Sequence, residues 1–144
     1  MKFHTFILLF VSLLAAGAAQ AAPLPPKPDM VVRAPKMRFL MAGRPAAGYF
    51  ILLNNSNAAR SLTGASSSAC RSMTLNRTFG GTMMTVKNIP VPAKGHVMFA
   101  PGGYHLMCMS PSKLMQPGGK VPVTLHFDRG ESQTVDFMVH GAQK

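Results

Sequence analysis

The chain has 144 residues, 47% of them hydrophobic and 13% charged, with a formal net charge of +11, which suits one folded domain and excludes a collagen, a coiled coil or an acidic disordered tail. Its only carboxylates are Asp29, Asp128, Glu131 and Asp136, too few for a carboxylate-built Ca²⁺ or two-metal site or for paired-carboxylate hydrolysis. Twelve methionines and no tryptophan are the unusual feature of the composition.

At the N-terminus Lys2 precedes an apolar run from Phe6 to Ala16, and small residues follow to Ala19-Gln20-Ala21. This is the pattern of a secretory signal peptide spanning 1–21, so an exported product is expected. No later stretch reaches the roughly 18 unbroken apolar residues of a spanning helix, and no stable membrane insertion is expected after cleavage. Residues 22–36, rich in proline, read as an extended leader, because proline cannot donate to a helix or sheet ladder. The domain is expected over 37–144.

Turn signals then recur about every ten residues: Gly43-Arg44-Pro45, Asn54 to Asn57, Gly80-Gly81, Pro90-Val91-Pro92, Pro101-Gly102-Gly103, Pro117-Gly118-Gly119 and Arg129-Gly130. Between them lie runs suited to strands: Gly48–Leu53, Thr82–Val86, His96–Phe99, Tyr104–Met109, Val121–Phe127 and Gln133–Val139. The odd positions are apolar from Val121 to Phe127 and again from Val135 to Val139, so each strand turns one face to a core. No segment after the signal holds a helical period. The fold class expected is all-β, an antiparallel β-sandwich or small barrel.

Phosphate-loop, H-E-x-x-H and G-x-S-x-G motifs are absent from the sequence, so no enzyme is expected. What remains is sulfur and imidazole. Met73, Met83, Met84, His105, Met107 and Met109 gather mid-chain. Thioether is a soft, uncharged donor that selects Cu(I) and needs no deprotonation. On a strand, His105 and Met107 share a face, as would Met109. Methionine also fills irregular core gaps, and periodicity does not distinguish the two uses. In an exported chain Cys70 and Cys108 are expected to form one disulfide, the alternatives being extra copper ligands or a redox switch. Alternation sends Cys108 to the face opposite His105 and Met107. His96, His126 and His140 receive no role.

Four segments, Pro45–Asn55, Ile89–Ala93, Pro101–Met107 and Val121–Phe127, together resemble the PCuAC family of periplasmic copper chaperones, a likeness that runs over residues 31–139. The family pattern is His or Met, ten residues, Met, about 21 residues, then H-x-M, and it falls here on Met83, His105 and Met107. The resemblance implies a cupredoxin-like, Greek-key β-sandwich in the periplasm that carries Cu(I). It further implies delivery to an acceptor such as the copper centre of a terminal oxidase or a thioredoxin-like copper protein. This chain departs at the first ligand: eleven back from Met83 is Ser72, while Met73 lies eleven back from Met84. Met73 is expected to fill the place through a one-residue slip or bulge around Phe79-Gly80-Gly81. The alternatives are Met84 in the site, or a site with only three donors. A second reading is an exported cationic β-sandwich that has lost its metal and serves as an interaction module. A blue-copper electron carrier fits less well, since only one histidine lies close to a cysteine in sequence. Nucleic acid is not expected as a partner.

Overall fold

The computed structural model describes Gly17 and residues 19–142. The segment read as a signal peptide, 1–21, lies almost wholly outside them. Residues 19–28 carry no helix or strand and are exposed. Ten strands follow: β1 (Met30–Arg38), β2 (Ala46–Asn54), β3 (Arg60–Ser66), β4 (Cys70–Phe79), β5 (Thr82–Val86), β6 (Ile89–Val91), β7 (His96–Phe99), β8 (Tyr104–Pro111), β9 (Lys120–Phe127) and β10 (Ser132–His140). The one helical element among the described residues is a 3-10 turn at Asp128–Gly130. No helix among them is long and apolar enough to cross a membrane.

The all-β expectation holds. The strands join in one sheet ordered β5-β4-β8-β7-β2-β1-β10-β9-β3-β6, with β8 also reaching β2. It curls around a single core and stops short of closing, leaving β5 and β6 as edges. Pairing is antiparallel except for β1 with β10 and β7 with β8.

The alternation seen in the sequence fills the inside. Val121, Val123, Leu125 and Phe127 of β9 and Phe137 and Val139 of β10 are buried, together with Leu52, Leu62, Leu75 and Leu106. Each such side chain contributes about 1.5–3 kcal/mol by leaving water. Phe50 stacks on Phe99 with ring centroids 4.1 Å apart and meets the edge of Phe137 at 5.5 Å.

Two boundaries differ from expectation. The leader ends at Asp29 and not at residue 36, because β1 absorbs Pro35 in a bulge. Arg33 faces Ile51 and Lys36 faces Tyr49, so three steps on β1 match two on β2. Ala34 takes φ 49° there, and a proline in a bulge leaves no ladder donor wanting. Pro90-Val91-Pro92, read as a turn, instead contributes to β6. Pro90 sits on an edge strand opposite Ser61, where a missing N–H is tolerated, and its neighbours Ile89 and Val91 are buried.

Three of the four carboxylates converge on one cation. Arg60 is buried at the start of β3, with Nε donating to Asp128 Oδ1 at 2.8 Å, Nη2 to Glu131 Oε2 at 2.8 Å, and Asp29 Oδ2 4.0 Å from Nη1. Burial works against the charged form of Asp128, but hydrogen bonds from Arg60 and the Ser61 backbone, with the charges of Arg60 and Arg129, outweigh it and hold the carboxyl below its usual value. A depressed folded pKa gives stability that is present at neutral pH and lost on acidification. Urea unfolding followed from pH 7 to pH 3 should show stability falling as pH drops below about 4, with a shallower fall in Asp128→Asn.

Cys70 and Cys108 form the expected disulfide, joining β4 to β8 with Cα atoms 5.4 Å apart and closing a loop of sequence separation 38. Cys108 is fully buried on the core side of β8. Loop closure on this scale is worth about 4 kcal/mol in the chain-entropy account. The Cys70→Ser/Cys108→Ser double variant should therefore lose about 2–4 kcal/mol of unfolding free energy in urea.

Candidate metal centre

β8 supplies the framework of the centre. Leu106 and Cys108 point into the core, so His105, Met107 and Met109 stand on the outer face. β4 lies on one side of it, with Asn76 opposite His105, Thr74 opposite Met107 and Ser72 opposite Met109. β5 follows through the two-residue turn Gly80-Gly81, whose φ values of 57° and 78° suit glycine in a tight hairpin. That turn pairs Thr78 with Met83 and Asn76 with Thr85. Partners in register share a face, so Met83 joins His105 and Met107 outside.

Two donors meet. His105 Nε2 lies 3.3 Å from Met83 Sδ, while His105 Nδ1 lies 3.1 Å from the Gly103 carbonyl oxygen. A carbonyl only accepts, so in the neutral ring the proton sits on Nδ1 and the Nε2 lone pair faces the sulfur. Two lone-pair donors at this range are held together best by a cation. Bonds of about 2.0 Å to nitrogen and 2.3 Å to sulfur at a near-tetrahedral angle separate two ligands of one ion by about 3.5 Å. The imidazole is 6% exposed, shielded in part by Tyr49 with ring centroids 6.5 Å apart, whereas Met83 is 54% exposed. One donor is therefore fixed and the other open to solvent.

Met107 stands one position along the same face, half-buried between Ala47 and Thr74. The structure brings Met83, His105 and Met107 to one surface. It does not bring Met73 there. Met73 pairs with Cys108 and packs against the hydrophobic core on the opposite face. The slip expected around Phe79-Gly80-Gly81 is absent, because the glycine turn closes the hairpin without a bulge. Met84, opposite Arg77, also faces away from Met83. Among the described residues no three His, Cys, Asp or Glu side chains are placed to hold a metal ion; the donors that gather on this face are thioether and imidazole.

Asn76 was not anticipated. It is 3% exposed and lies in the row between His105 and Thr85. Its Oδ1 accepts from Thr85 Oγ1 at 3.0 Å, and its Nδ2 is 4.0 Å from Met83 Sδ. Counting outward from the Gly80-Gly81 turn, and not eleven residues back from Met83, would have found it. Asn76 fills the place beside Met83 and His105 that a further strand-borne ligand would need.

The LpqE-like lipoprotein family matches residues 29–139. The chain belongs to that family. A curated relative, lipoprotein Lxx21020 of Leifsonia xyli subsp. xyli (strain CTCB07), is 30% identical over 135 residues, covering 90% of this chain and 81% of the relative. Solved structures add the PCuAC likeness at the level of fold. The copper-bound PCuAC domain from PmoF2 superimposes with TM-score 0.69 at 26% identity, over 80% of this chain and 95% of that one. The Cu(I)-bound DR1885 of Deinococcus radiodurans does so with TM-score 0.61 at 28% identity, over 87% and 83%. The family shown is thus LpqE-like, and PCuAC domains are its structural neighbours.

The two faces can be told apart without metal. Met73→Ala should lower unfolding free energy by about 1–2 kcal/mol, as a part-buried core truncation, and Met83→Ala by less than about 0.5 kcal/mol, both read from urea denaturation.

Proposed function

We propose that this chain is an exported carrier of Cu(I) that holds the ion at Met83, His105 and Met107 and passes it to an acceptor protein. The observation that carries the reading is the 3.3 Å approach of His105 Nε2 to Met83 Sδ, with the imidazole anchored through Nδ1 on Gly103. Neutral soft donors with one imidazole favour Cu(I) over Cu(II), which prefers nitrogen and oxygen. The copper-bound PmoF2 domain and Cu(I)-bound DR1885 support copper as the cargo. On this reading the fold is a cupredoxin-like Greek-key sandwich whose edge has stayed open, the compartment is the periplasm, and no catalysis is involved. The acceptor would be a copper protein such as a terminal oxidase subunit or a thioredoxin-like copper protein.

The exposure of Met83 suits transfer. An incoming ligand reaches the ion from the solvent side and displaces the thioether while His105 keeps hold, so the ion is never released to water. Met73 is left out of the ligand set, and the disulfide leaves both thiols out as well.

A Cu(I) competition titration of the chain against a chromophoric chelator tests this. One equivalent should bind, and His105→Ala, Met83→Leu and Met107→Leu should each weaken it by about tenfold or more, while Met73→Leu and His126→Ala change it less than about twofold. Asn76→His should tighten binding and add affinity for Cu(II). No binding at all would leave the cationic interaction module as the better reading.

A further inference from the structure

The outer face continues past the candidate centre into a cationic groove. His140, Arg38, Ala47, Met107 and Thr74 form one row of register partners across β10, β1, β2, β8 and β4. Lys120, Met138, Lys36 and Tyr49 form the neighbouring row. Register partners share a face, so Lys36, Arg38 and His140 stand on the same surface as Met107, with only the small Ala47 between. Two open hollows lie there and share Arg38 and Tyr49. One, of about 290 Å³, is bounded by Lys36, Arg38, Tyr49 and His140. The other, of about 500 Å³, is bounded by Arg38, Arg44, Leu40, Met41 and Met107.

The cations of this groove form no ion pair among the described residues. Among the described residues every ion pair within 4.0 Å belongs to Arg60. The fourth acid, Asp136 on β10, is exposed on the same face two residues before Met138, yet it makes no ion pair within 4.0 Å and lines neither hollow. The rim is apolar as well, with Leu40 48% and Met41 60% exposed on the β1–β2 connection. A small anion prefers cations that converge on one point, whereas Lys36, Arg38 and Arg44 are strung along a groove with apolar side chains among them. The concave form also suits a chain segment better than a flat lipid surface.

We propose that this groove docks an acidic segment of a partner protein, its carboxylates against Lys36, Arg38 and Arg44 and an apolar side chain against Leu40 and Met41. Because the groove reaches Met107, the partner that fits is the protein that receives the metal; that identity rests on the carrier reading, whereas the preference for an acidic segment does not. Charge complementarity of this kind speeds encounter and sets orientation, and it weakens with salt.

The test uses the full chain without copper and a fluorescein-labelled peptide of four Glu-Glu-Leu repeats, with the Lys-Lys-Leu counterpart as control, in an anisotropy titration. The acidic peptide should bind, and the Lys36→Glu/Arg38→Glu/Arg44→Glu variant should weaken it by about tenfold or more. A variant of equal charge change on other surfaces, Arg71→Glu/Lys94→Glu/Lys113→Glu, should weaken it by less than about threefold through long-range charge alone. Amide shift changes should cluster around Arg38, Arg44 and Tyr49. Equal weakening by both variants, absence of peptide binding, or binding through these residues of citrate or phosphatidylglycerol vesicles in place of the peptide would each overturn the proposal. Cu(I) competition on the groove variant should match the unaltered chain. Selective peptide binding by a chain that holds no Cu(I) would overturn the carrier reading and leave the docking surface standing.

Discussion

The pairing of β4 with β8 is the constraint on which the rest of the molecule turns. Its ladder decides that Leu75, Leu106 and Cys108 face the core while Asn76, His105 and Met107 face outward. The Cys70–Cys108 bridge locks the same two strands on the inner side. A slip of one residue would exchange the faces and bury polar donors among leucines. The bridge and the core therefore hold the outer chemistry in place without contributing an atom to it. The anchor of His105 on Gly103 adds the last degree of order, fixing which ring nitrogen is free.

Charge is distributed with similar economy. Arg60 gathers Asp29, Asp128 and Glu131 from separated stretches of chain at the start of β3. One buried guanidinium thus engages three of the four acidic side chains at a single place on the surface. The other cations are left without them, and some line the groove that ends at Met107. The +11 of the composition is in this sense a property of particular faces and not of the molecule as a uniform body.

Strands with one apolar face were legible from sequence, and those without were not. β9 and β10 alternate cleanly, and β8 could be read to within two residues. β4, with the sequence Cys-Arg-Ser-Met-Thr-Leu-Asn-Arg-Thr-Phe, alternates only at Met73 and Leu75, because Arg71 and Arg77 take the flanking positions of its core-side row. β1 is interrupted by Pro35, whose bulge resets the alternation. The candidate site followed the same division. His105 and Met107 lie on one readable strand, and Met83 was placed by the family spacing. Met73 stands on the core side of β4; counting eleven residues along the chain missed this because it ignores the hairpin, where the turn at Gly80-Gly81 sets Thr78 opposite Met83 and leaves Asn76, the next residue on that face, with its Nδ2 4.0 Å from the sulfur.

The adjacency of Met83 and Met84 on β5 has a consequence for how the hairpin behaves. β5 is an edge strand tied only to β4, the position in a sheet where register is held by the fewest bonds. A displacement of β5 by a single residue would carry Met84 into the place opposite Thr78 that Met83 now occupies. The outer face would then still present a thioether towards His105. The paired methionines make that end of the barrel tolerant of register error, so the sulfur survives a fault that would erase a ligand set made of one methionine between unlike neighbours.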